Sequence, residues 1–283
     1  MQKKVGLAAF IVICLTVCYF IDRTANNYNS PKTYGEYQEK QISKATTVLQ
    51  QTGNANAEQE NANAIEKAEE EKEMVKKAFL TFDDGPSDNT LKVLETLDKY
   101  NIKATFFMIA EEITPEREEL VKKMIAEGHV VGVHTYSHNR NEIYKDKEAC
   151  IADIKKTYDK LLDVTGQAPC YYRFPYGSAN CYITGYCNAV IRDLNDMGLS
   201  YIDWNVSGED SVGKPTKASI MKNIKTFDKY IEPVILLHDG SSNKLTAEIL
   251  PEIIEKIKAA GYEFGTMDER SKPYQWPHKW QEK

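Results

Sequence analysis

The sequence lacks any dense cluster of lysine and arginine. Its 283 residues include 36 basic and 42 acidic side chains, which gives a formal net charge of −6. Proteins that bind nucleic acid through its phosphates need concentrated positive charge, so this composition argues against a nucleic-acid partner. The length and the otherwise ordinary globular composition predict one barrel-sized domain with an additional segment.

The N-terminus lacks a signal-peptidase cleavage site. Lys3 and Lys4 precede residues 5–21, a run without charge or proline that is typical of an export or anchoring segment. No small-x-small pattern follows this run, because the chain continues with Asp22 and an arginine. We therefore expect an uncleaved signal anchor in residues 1–22, with cleavage and secretion as the alternative. The positive-inside rule places the rest of the chain outside the membrane.

Residues 23–76 lack the apolar periodicity that would bury one face of a helix or a strand. They are rich in Asn, Gln, Ala and Glu, as in the segment GNANAEQENANAIEKAEEEKE. We predict a polar stalk that is partly helical or disordered. As a flexible coil it would span ~40 Å on average, which would hold a domain away from the membrane surface.

Cysteine is scarce, with six residues in the chain, of which two lie in the predicted anchor. The other four would face an oxidising exterior. We consider one disulfide between Cys181 and Cys187, across a short loop, and another between Cys150 and Cys170. Four free thiols are the equally supported alternative.

After the stalk, short apolar runs alternate with amphipathic segments, which is the pattern of repeated βα units. Seven strands are predicted at residues 78–82, 104–108, 130–133, 171–174, 201–204, 234–237 and 262–265. Helices are predicted between them at residues 88–100, 115–127, 146–165, 186–197, 217–230 and 246–260. Glycines stand where four helices should end: Gly128, Gly166, Gly198 and Gly261. The pattern predicts an α/β fold, a distorted or incomplete (β/α) barrel of about seven parallel strands, with a doubly wound open sheet as the alternative.

Reactive side chains follow the ends of the predicted strands. They are Asp83, Asp84, His134, His138, Arg173, Asp203, Asp210, His238 and Asp239. Because βα barrels carry their sites at the C-terminal ends of the strands, one site is predicted. The spacing of His134 and His138 lets both imidazoles reach one cation. One carboxylate from Asp83 and Asp84 would complete a three-ligand hydrolytic metal site.

Four segments of the chain resemble motifs of the NodB-type polysaccharide deacetylases, carbohydrate esterase family 4. They are TFDDGP at residues 81–86, HTYSH at 134–138, RFPYG at 173–177 and LLH at 236–238. The resemblance covers roughly residues 77–267. With its predicted anchor, the chain resembles the membrane-anchored peptidoglycan N-acetylglucosamine deacetylases of this family. We predict a catalytic domain at residues 77–270 and a C-terminal tail at residues 271–283.

The resemblance assigns roles to the matching residues. It implies that Asp84, His134 and His138 bind a divalent metal, with zinc first and cobalt, nickel or manganese as alternatives. By the same resemblance Asp83 is the general base and His238 is the general acid that protonates the leaving amine.

The resemblance also implies supporting roles. Arg173 would hold the base Asp83. Pro175 and Tyr176 would line the substrate site, the backbone N–H of Tyr176 helping to stabilise the oxyanion, and Leu236 would contact the acetyl methyl group.

The fourth motif departs from the family pattern. The family has Asp-Trp there, whereas this chain has Asp210 followed by Ser211. Asp210 is assigned to orient the catalytic histidine, with Asp203 as the competing candidate. Ser211 leaves one wall of the acetyl pocket open, and Trp204 or a leucine could fill part of it.

The resemblance implies hydrolysis of N-acetyl groups on N-acetylhexosamine residues of a cell-wall polysaccharide, either peptidoglycan or chitin-like oligomers, by water that a metal activates. Two alternatives stay open: an O-acetyl esterase acting on xylan or other acetylated glycans, and a catalytically silent glycan-binding domain. With the anchor, the catalytic domain would lie outside the cell membrane. The sequence makes no prediction of the oligomeric state.

Overall fold

The structure is a computed structural model that describes residues 76–277. The predicted anchor and nearly all of the predicted stalk lie outside the described residues. Within residues 76–277, no helix has both the length and the apolar character that a membrane span requires.

Parallel strands form the sheet at the centre of the described domain. They are β1 Lys77–Gly85, β2 Thr105–Ile109, β3 Val130–Thr135, β4 Tyr171–Tyr172, β5 Ser200–Tyr201, β6 Val206–Ser207, β7 Val234–His238 and β8 Glu263–Phe264. Seven of them follow the spatial order β5-β4-β3-β2-β1-β7-β6, and β8 pairs with β1 off this path. No ladder joins β5 to β6 among the described residues, so the barrel is incomplete. This architecture confirms the prediction of an incomplete α/β barrel.

Helices cover the outside of this sheet. They are α1 Asp88–Lys99, α2 Glu118–Ala126, α3 Arg140–Ile143, α4 Lys147–Thr165, α5 Cys187–Asp196, α6 Lys217–Ile224 and α7 Lys244–Ala259. Gly166 ends α4 with a left-handed φ of 68°, as the sequence predicted for a helix C-terminus. The predicted helix at residues 217–230 is shorter than expected, because its last turn is the 3-10 segment Lys225–Lys229.

Two short elements were not predicted, the strand β6 and the helix α3. Of the strand expected at residues 201–204, only Tyr201 is in a strand, at the end of β5, and β6 begins two residues beyond the expected range. Elements of two to four residues are too short to show a hydrophobic period, which is why the sequence did not indicate them.

The side chains of β1 alternate between two apolar clusters, and this alternation positions the site. Leu80 and Phe82 are fully buried in the main core, which includes residues of the surrounding helices. Phe79 packs instead with Phe107 in a small cluster inside the barrel. Because strand residues alternate between faces, Asp83 shares the inner face with Phe79. The first carboxylate of the motif therefore points into the barrel at the C-terminal end of β1.

The two disulfides considered from the sequence are wrong. All four described cysteines are free thiols, with Cys150 and Cys187 buried and Cys170 and Cys181 exposed. Each proposed bridge would have joined a buried sulfur to an exposed one, and the fold keeps these environments apart.

Candidate active site

The two adjacent aspartates diverge at the end of β1. Asp83 still pairs with the neighbouring strands, whereas the register shifts between Asp83 and Gly85. Asp84 has a backbone φ of 75°, which is unusual for a residue with a side chain. Such strained conformations concentrate at functional sites. This backbone turn sends the two carboxylates in different directions.

The structure brings together the three predicted metal ligands. Asp84 Oδ1 lies 3.5 Å from His134 Nε2 and 3.6 Å from His138 Nε2, and the three ligand atoms lie within 4.8 Å of one another. Asp84 Oδ1 is buried and has no hydrogen-bond partner. A buried carboxylate oxygen without a partner, facing two imidazole nitrogens, fits a divalent cation that accepts one oxygen and two nitrogen ligands.

A hydrogen bond fixes the orientation of His134. Its Nδ1 lies 2.8 Å from the carbonyl oxygen of Arg173 and must donate to it. The lone pair of a neutral His134 is therefore on Nε2, which faces Asp84. A histidine ligand held in this way by a carbonyl group is the usual arrangement at metal sites.

The charges around the three ligands favour a cation. Burial alone would raise the pKa of Asp84, but the close contact with His134 and the charges of the nearby imidazoles hold that pKa well below its ordinary value. Burial lowers the pKa of His138, which favours the neutral imidazole that metal binding requires. Burial also opposes protonation of His134, but the negative charges of Asp83 and Asp84 outweigh it and raise the pKa of His134. The field that favours a proton there also favours a metal ion.

A buried arginine holds Asp83. Arg173 is fully buried, and its Nη1 donates to Asp83 Oδ1 at 2.9 Å and to Thr81 Oγ1 at 2.7 Å. Its Nε donates to the carbonyl oxygen of Ile202 at 3.0 Å, and its guanidinium lies over the ring of Phe107. Breaking a buried ion pair by removing one partner costs about 3–5 kcal/mol. The carboxylate of Asp83 is thus kept in one position.

The structure places Asp210, and not Asp203, against His238. His238 Nδ1 donates to Asp210 Oδ1 at 2.9 Å, and Thr246 Oγ1 donates to Asp210 Oδ2 at 2.6 Å. Burial alone would lower the pKa of His238, but the hydrogen bond and charge of Asp210 raise it to about 9. Asp203 instead accepts a hydrogen bond from the amide of Ser178 at 2.9 Å. The geometry therefore decides between the two candidates left open by the sequence.

The family model described as polysaccharide deacetylase matches residues 70–202. A peptidoglycan-N-acetylglucosamine deacetylase of Bacillus cereus is 35% identical over 201 residues, which are 69% of this chain and 71% of the relative. The chain belongs to the polysaccharide deacetylase family. It is a deacetylase hydrolase of the type of carbohydrate esterase family 4.

Solved structures of relatives share the fold of this deacetylase. The catalytic domain of a peptidoglycan N-acetylglucosamine deacetylase from Eubacterium rectale matches with 32% identity and a TM-score of 0.66, covering 71% of this chain and 93% of that one. A polysaccharide deacetylase of Bacillus cereus matches with 33% identity and a TM-score of 0.64, covering 72% and 98%.

Ser211 and the predicted pocket residue Leu236 of the deacetylase lie near His238, the first through space and the second along β7. Ser211, which replaces the tryptophan of the family pattern, is exposed, and its Oγ lies 3.3 Å from His238 Nε2. Leu236 is two residues before His238 on β7 and is buried. Strand alternation puts Leu236 on the same inward face as the histidine. Leu236 therefore lies inside the barrel just below its mouth, as expected for a pocket residue.

The other predicted pocket residues lie in the loop after β4, or next to it in the case of Trp204. The side chain of Tyr176 is 50% exposed, and its ring centroid lies 5.3 Å from that of His138. Pro175 is buried, and its carbonyl oxygen accepts a hydrogen bond from Tyr144 Oη at 2.8 Å. Trp204 is partly buried, 5.7 Å from the Arg173 guanidinium. It therefore lies behind the arginine that holds the base.

Sequence reasoning missed Trp276, which belongs to the segment interpreted as a tail. Its indole lies 4.5 Å from that of Trp204, and its Nε1 donates to the carbonyl oxygen of Trp204 at 2.7 Å. A Cβ added to Gly177 would stand 2.4 Å from the Trp276 ring. The residue thus packs directly on the loop that carries Tyr176. The aromatic composition of YQWPHKW, residues 274–280, was the available signal that Trp276 packs against the domain.

Asp239 is a buried residue next to the site that hydrogen-bonds to the end of β1 and to the loop that follows it. It is fully buried, and its amide donates to the carbonyl oxygen of Asp83 at 3.0 Å. Thr90 Oγ1 donates to its carboxyl group, and Ser87 Oγ donates to its carbonyl oxygen at 2.6 Å. Burial raises the pKa of Asp239 to about 7. These contacts tie the loop after β1 to the loop after β7.

Proposed function

We propose that this deacetylase removes acetyl groups from N-acetylglucosamine residues of peptidoglycan in a metal-dependent reaction. The observation that carries the proposal is the convergence of Asp84, His134 and His138 beside the separately held carboxylate of Asp83. Two relatives that are named for this activity support the choice of substrate, one 35% identical in sequence and one 32% identical with the same fold.

The three converging residues would hold the metal, with zinc as the first candidate because of their nitrogen and oxygen donors. When bound, a divalent cation supplies Lewis-acid polarisation of the acetyl carbonyl group and of the attacking water. The chain's own residues supply the positioning and the proton transfers.

Asp83 acts as the general base. Arg173 holds one carboxylate oxygen at 2.9 Å, so the carboxylate is positioned to take a proton from the water that attacks the acetyl carbon. The same guanidinium also donates to Thr81 Oγ1 at 2.7 Å, which fixes its own position next to the carboxylate.

His238 acts as the general acid. The C–N bond of an amide breaks readily only if the leaving nitrogen receives a proton, and the products are then acetate and a free amine. Asp210 occupies Nδ1 of His238, so that Nε2 is the nitrogen that delivers the proton. With a pKa of about 9, His238 carries this proton at neutral pH.

The acetyl group would bind among residues at the mouth of the barrel. Leu236 offers an apolar contact for the methyl group, and the backbone N–H of Tyr176 would donate to the oxyanion. Pro175 and Trp204 support the loop that carries Tyr176. Ser211 leaves space beside His238 where the family has an indole.

We also propose that the domain acts outside the cell membrane and is tethered by residues 1–22. The charge-free run at residues 5–21 and the polar residues that follow support this placement. Fractionation of cells that express the full chain, followed by protease treatment of intact cells, tests it. A protected, cytoplasmic domain would contradict the proposal.

The activity test uses the purified protein loaded with Zn²⁺ or Co²⁺. Mass spectrometry of peptidoglycan strands and N-acetylglucosamine oligomers should show the loss of acetyl groups, and acetylated xylan serves to detect ester hydrolysis. Acetate release from none of the amide substrates would refute the proposal. Acetyl loss from xylan alone would instead support an esterase.

Two substitutions separate metal binding from proton transfer. Asp84→Asn should lose stoichiometric metal, measured by elemental analysis after gel filtration, because it removes the anionic ligand. Asp83→Asn should keep the metal and lose about 10²–10⁴-fold in kcat, because it removes the base. Loss of metal from Asp83→Asn alone would contradict this division of roles.

A further inference from the structure

Two exposed tyrosines extend outward from the candidate metal ligands. Tyr176 and Tyr182 are 50% and 40% exposed, and their ring centroids lie 5.9 Å apart. The ring of Tyr176 lies 5.3 Å from His138. Together with Arg140 they form a surface that we call the aromatic ledge. The ledge begins next to His138 and leads away from the candidate metal site.

The outer part of the aromatic ledge is rigidly built. The ring of Tyr182 stacks on the buried ring of Tyr144 at 6.1 Å with an interplanar angle of 14°. The amide of Tyr182 donates to Asn180 Oδ1 at 3.0 Å. Asn180 is itself buried, with its Nδ2 bonded to the carbonyl oxygen of Gly177 at 2.7 Å. Exposed rings that are held in place lose little entropy on binding a ligand.

The guanidinium of Arg140 lies over the ring of Tyr182 and keeps N–H groups that can bind a ligand. The guanidinium is 4.9 Å from the ring centroid of Tyr182; its Nη1 donates to the Tyr182 hydroxyl at 3.0 Å and its Nη2 to Asn141 Oδ1 at 3.5 Å. Within residues 76–277, no carboxylate lies within 4.0 Å of its guanidinium nitrogens. Glu142, two residues away, instead accepts a hydrogen bond from Asn139 at 2.6 Å. A guanidinium has five N–H groups, so Arg140 keeps donors for a ligand.

These features select a ligand class. Aromatic faces bind the apolar faces of sugar rings, and a guanidinium fork binds a carboxylate through two parallel hydrogen bonds. We propose that the aromatic ledge is a glycan subsite that binds a carboxylate-bearing sugar next to the sugar that is deacetylated. The inference rests on the proposed function, because the glycan must enter the same mouth. In peptidoglycan the neighbouring sugar is N-acetylmuramic acid, whose lactyl group provides such a carboxylate wherever no stem peptide is attached to it.

Three substrates isolate the carboxylate in the test. The first is peptidoglycan strands without stem peptides, in which the lactyl carboxylates are free. The second is the same strands after amidation of those carboxylates, and the third is a neutral N-acetylglucosamine oligomer. KM and kcat are measured on each by acetate release from the metal-loaded full chain.

Arg140→Ala should raise KM about three- to tenfold on the free-carboxylate strands, with kcat nearly unchanged. Its KM on the amidated strands and on the neutral oligomer should not change. Lys92→Ala is the matched control, because it removes the same charge from an exposed position on α1 and should change none of the constants. An equal KM change on all three substrates, or none on any, would overturn the subsite.

A second variant tests the same surface without removing the arginine. Tyr182→Phe keeps the ring and removes the hydroxyl that orients Arg140, so it should raise KM selectively for the free-carboxylate strands, by less than Arg140→Ala. A Tyr182→Phe variant that raised KM equally on all substrates would contradict the inference. Wild-type protein that released acetate from none of the three would refute the proposed function as well, whereas unselective variants of an active enzyme refute only the subsite.

Discussion

Asp210 controls the proton that His238 is proposed to deliver, and Asp210→Asn isolates that control. The substitution keeps the shape of the side chain but removes its charge, which is a main cause of the rise in the pKa of His238 from 6.5 to about 9. A fall from about 9 to about 6.5 corresponds to about 3 kcal/mol of lost preference for the imidazolium. Burial lowers the pKa of His238, and in the variant the charge of Asp210 would no longer oppose this effect.

The direction of the pH effect follows from the role of His238 as an acid. The acid is competent below its pKa, so activity is lost as the pH rises through that value. In the wild type this loss should occur near pH 9, and in Asp210→Asn about 2.5 pH units lower, near pH 6.5. At pH 7 the protonated fraction would fall from nearly all to about one quarter, so kcat should drop about fourfold from protonation alone.

The assay is the pH dependence of kcat for acetate release between pH 5 and pH 10. Asp203→Asn is the control, since Asp203 is also a buried carboxylate but hydrogen-bonds to Ser178 and not to the histidine. Its alkaline limb should stay at the wild-type position. If Asp210→Asn kept that limb near pH 9, or if Asp203→Asn shifted it equally, the assignment of Asp210 would be refuted.

Two further predictions concern packing and thiol chemistry. Gly177→Ala should lower the free energy of unfolding by about 1–3 kcal/mol, because the residue has a φ of 81° and the new Cβ would meet Trp276. Thermal unfolding checks this against Gly185→Ala, where no atom lies within 4 Å; equal losses would contradict the packing argument. Burial raises the pKa of both Cys150 and Cys187 to about 12, so iodoacetamide at pH 8 should modify the two exposed cysteines of the domain first. Peptide mass spectrometry identifies the modified residues, and early modification of Cys150 would be inconsistent with its buried environment.

Much of the fold and of the metal site was predictable from local patterns. The alternation of strands and helices repeats along the chain, and the reactive residues lie at the C-terminal ends of strands or within a few residues of them. In a parallel βα fold all the strand ends reach one side, so Asp84, His134 and His138 had to approach one another. The three candidate metal ligands could therefore be predicted from their spacing along the chain and from one rule of topology.

The sequence left two candidates for the partner of His238. The resemblance assigned Asp210 to this role, but Asp203 stayed a competing candidate, because both carboxylates follow β5 in the sequence. The conformation of the intervening chain decides, because it includes the unpredicted strand β6 and turns Asp210 toward β7. The cysteines present the same difficulty, since their spacing does not report which sulfurs are buried.

The sequence by itself determined the family, the order of the βα units and the reactive groups at the strand ends, because these are encoded in neighbouring residues. Only the tertiary structure decided which carboxylate contacts His238, that Trp276 packs on Gly177, and that Arg140 lies on the exposed ring of Tyr182. Such contacts join loops that are far apart in the chain. They depend on how each loop bends in space, and no periodic pattern of residues records that.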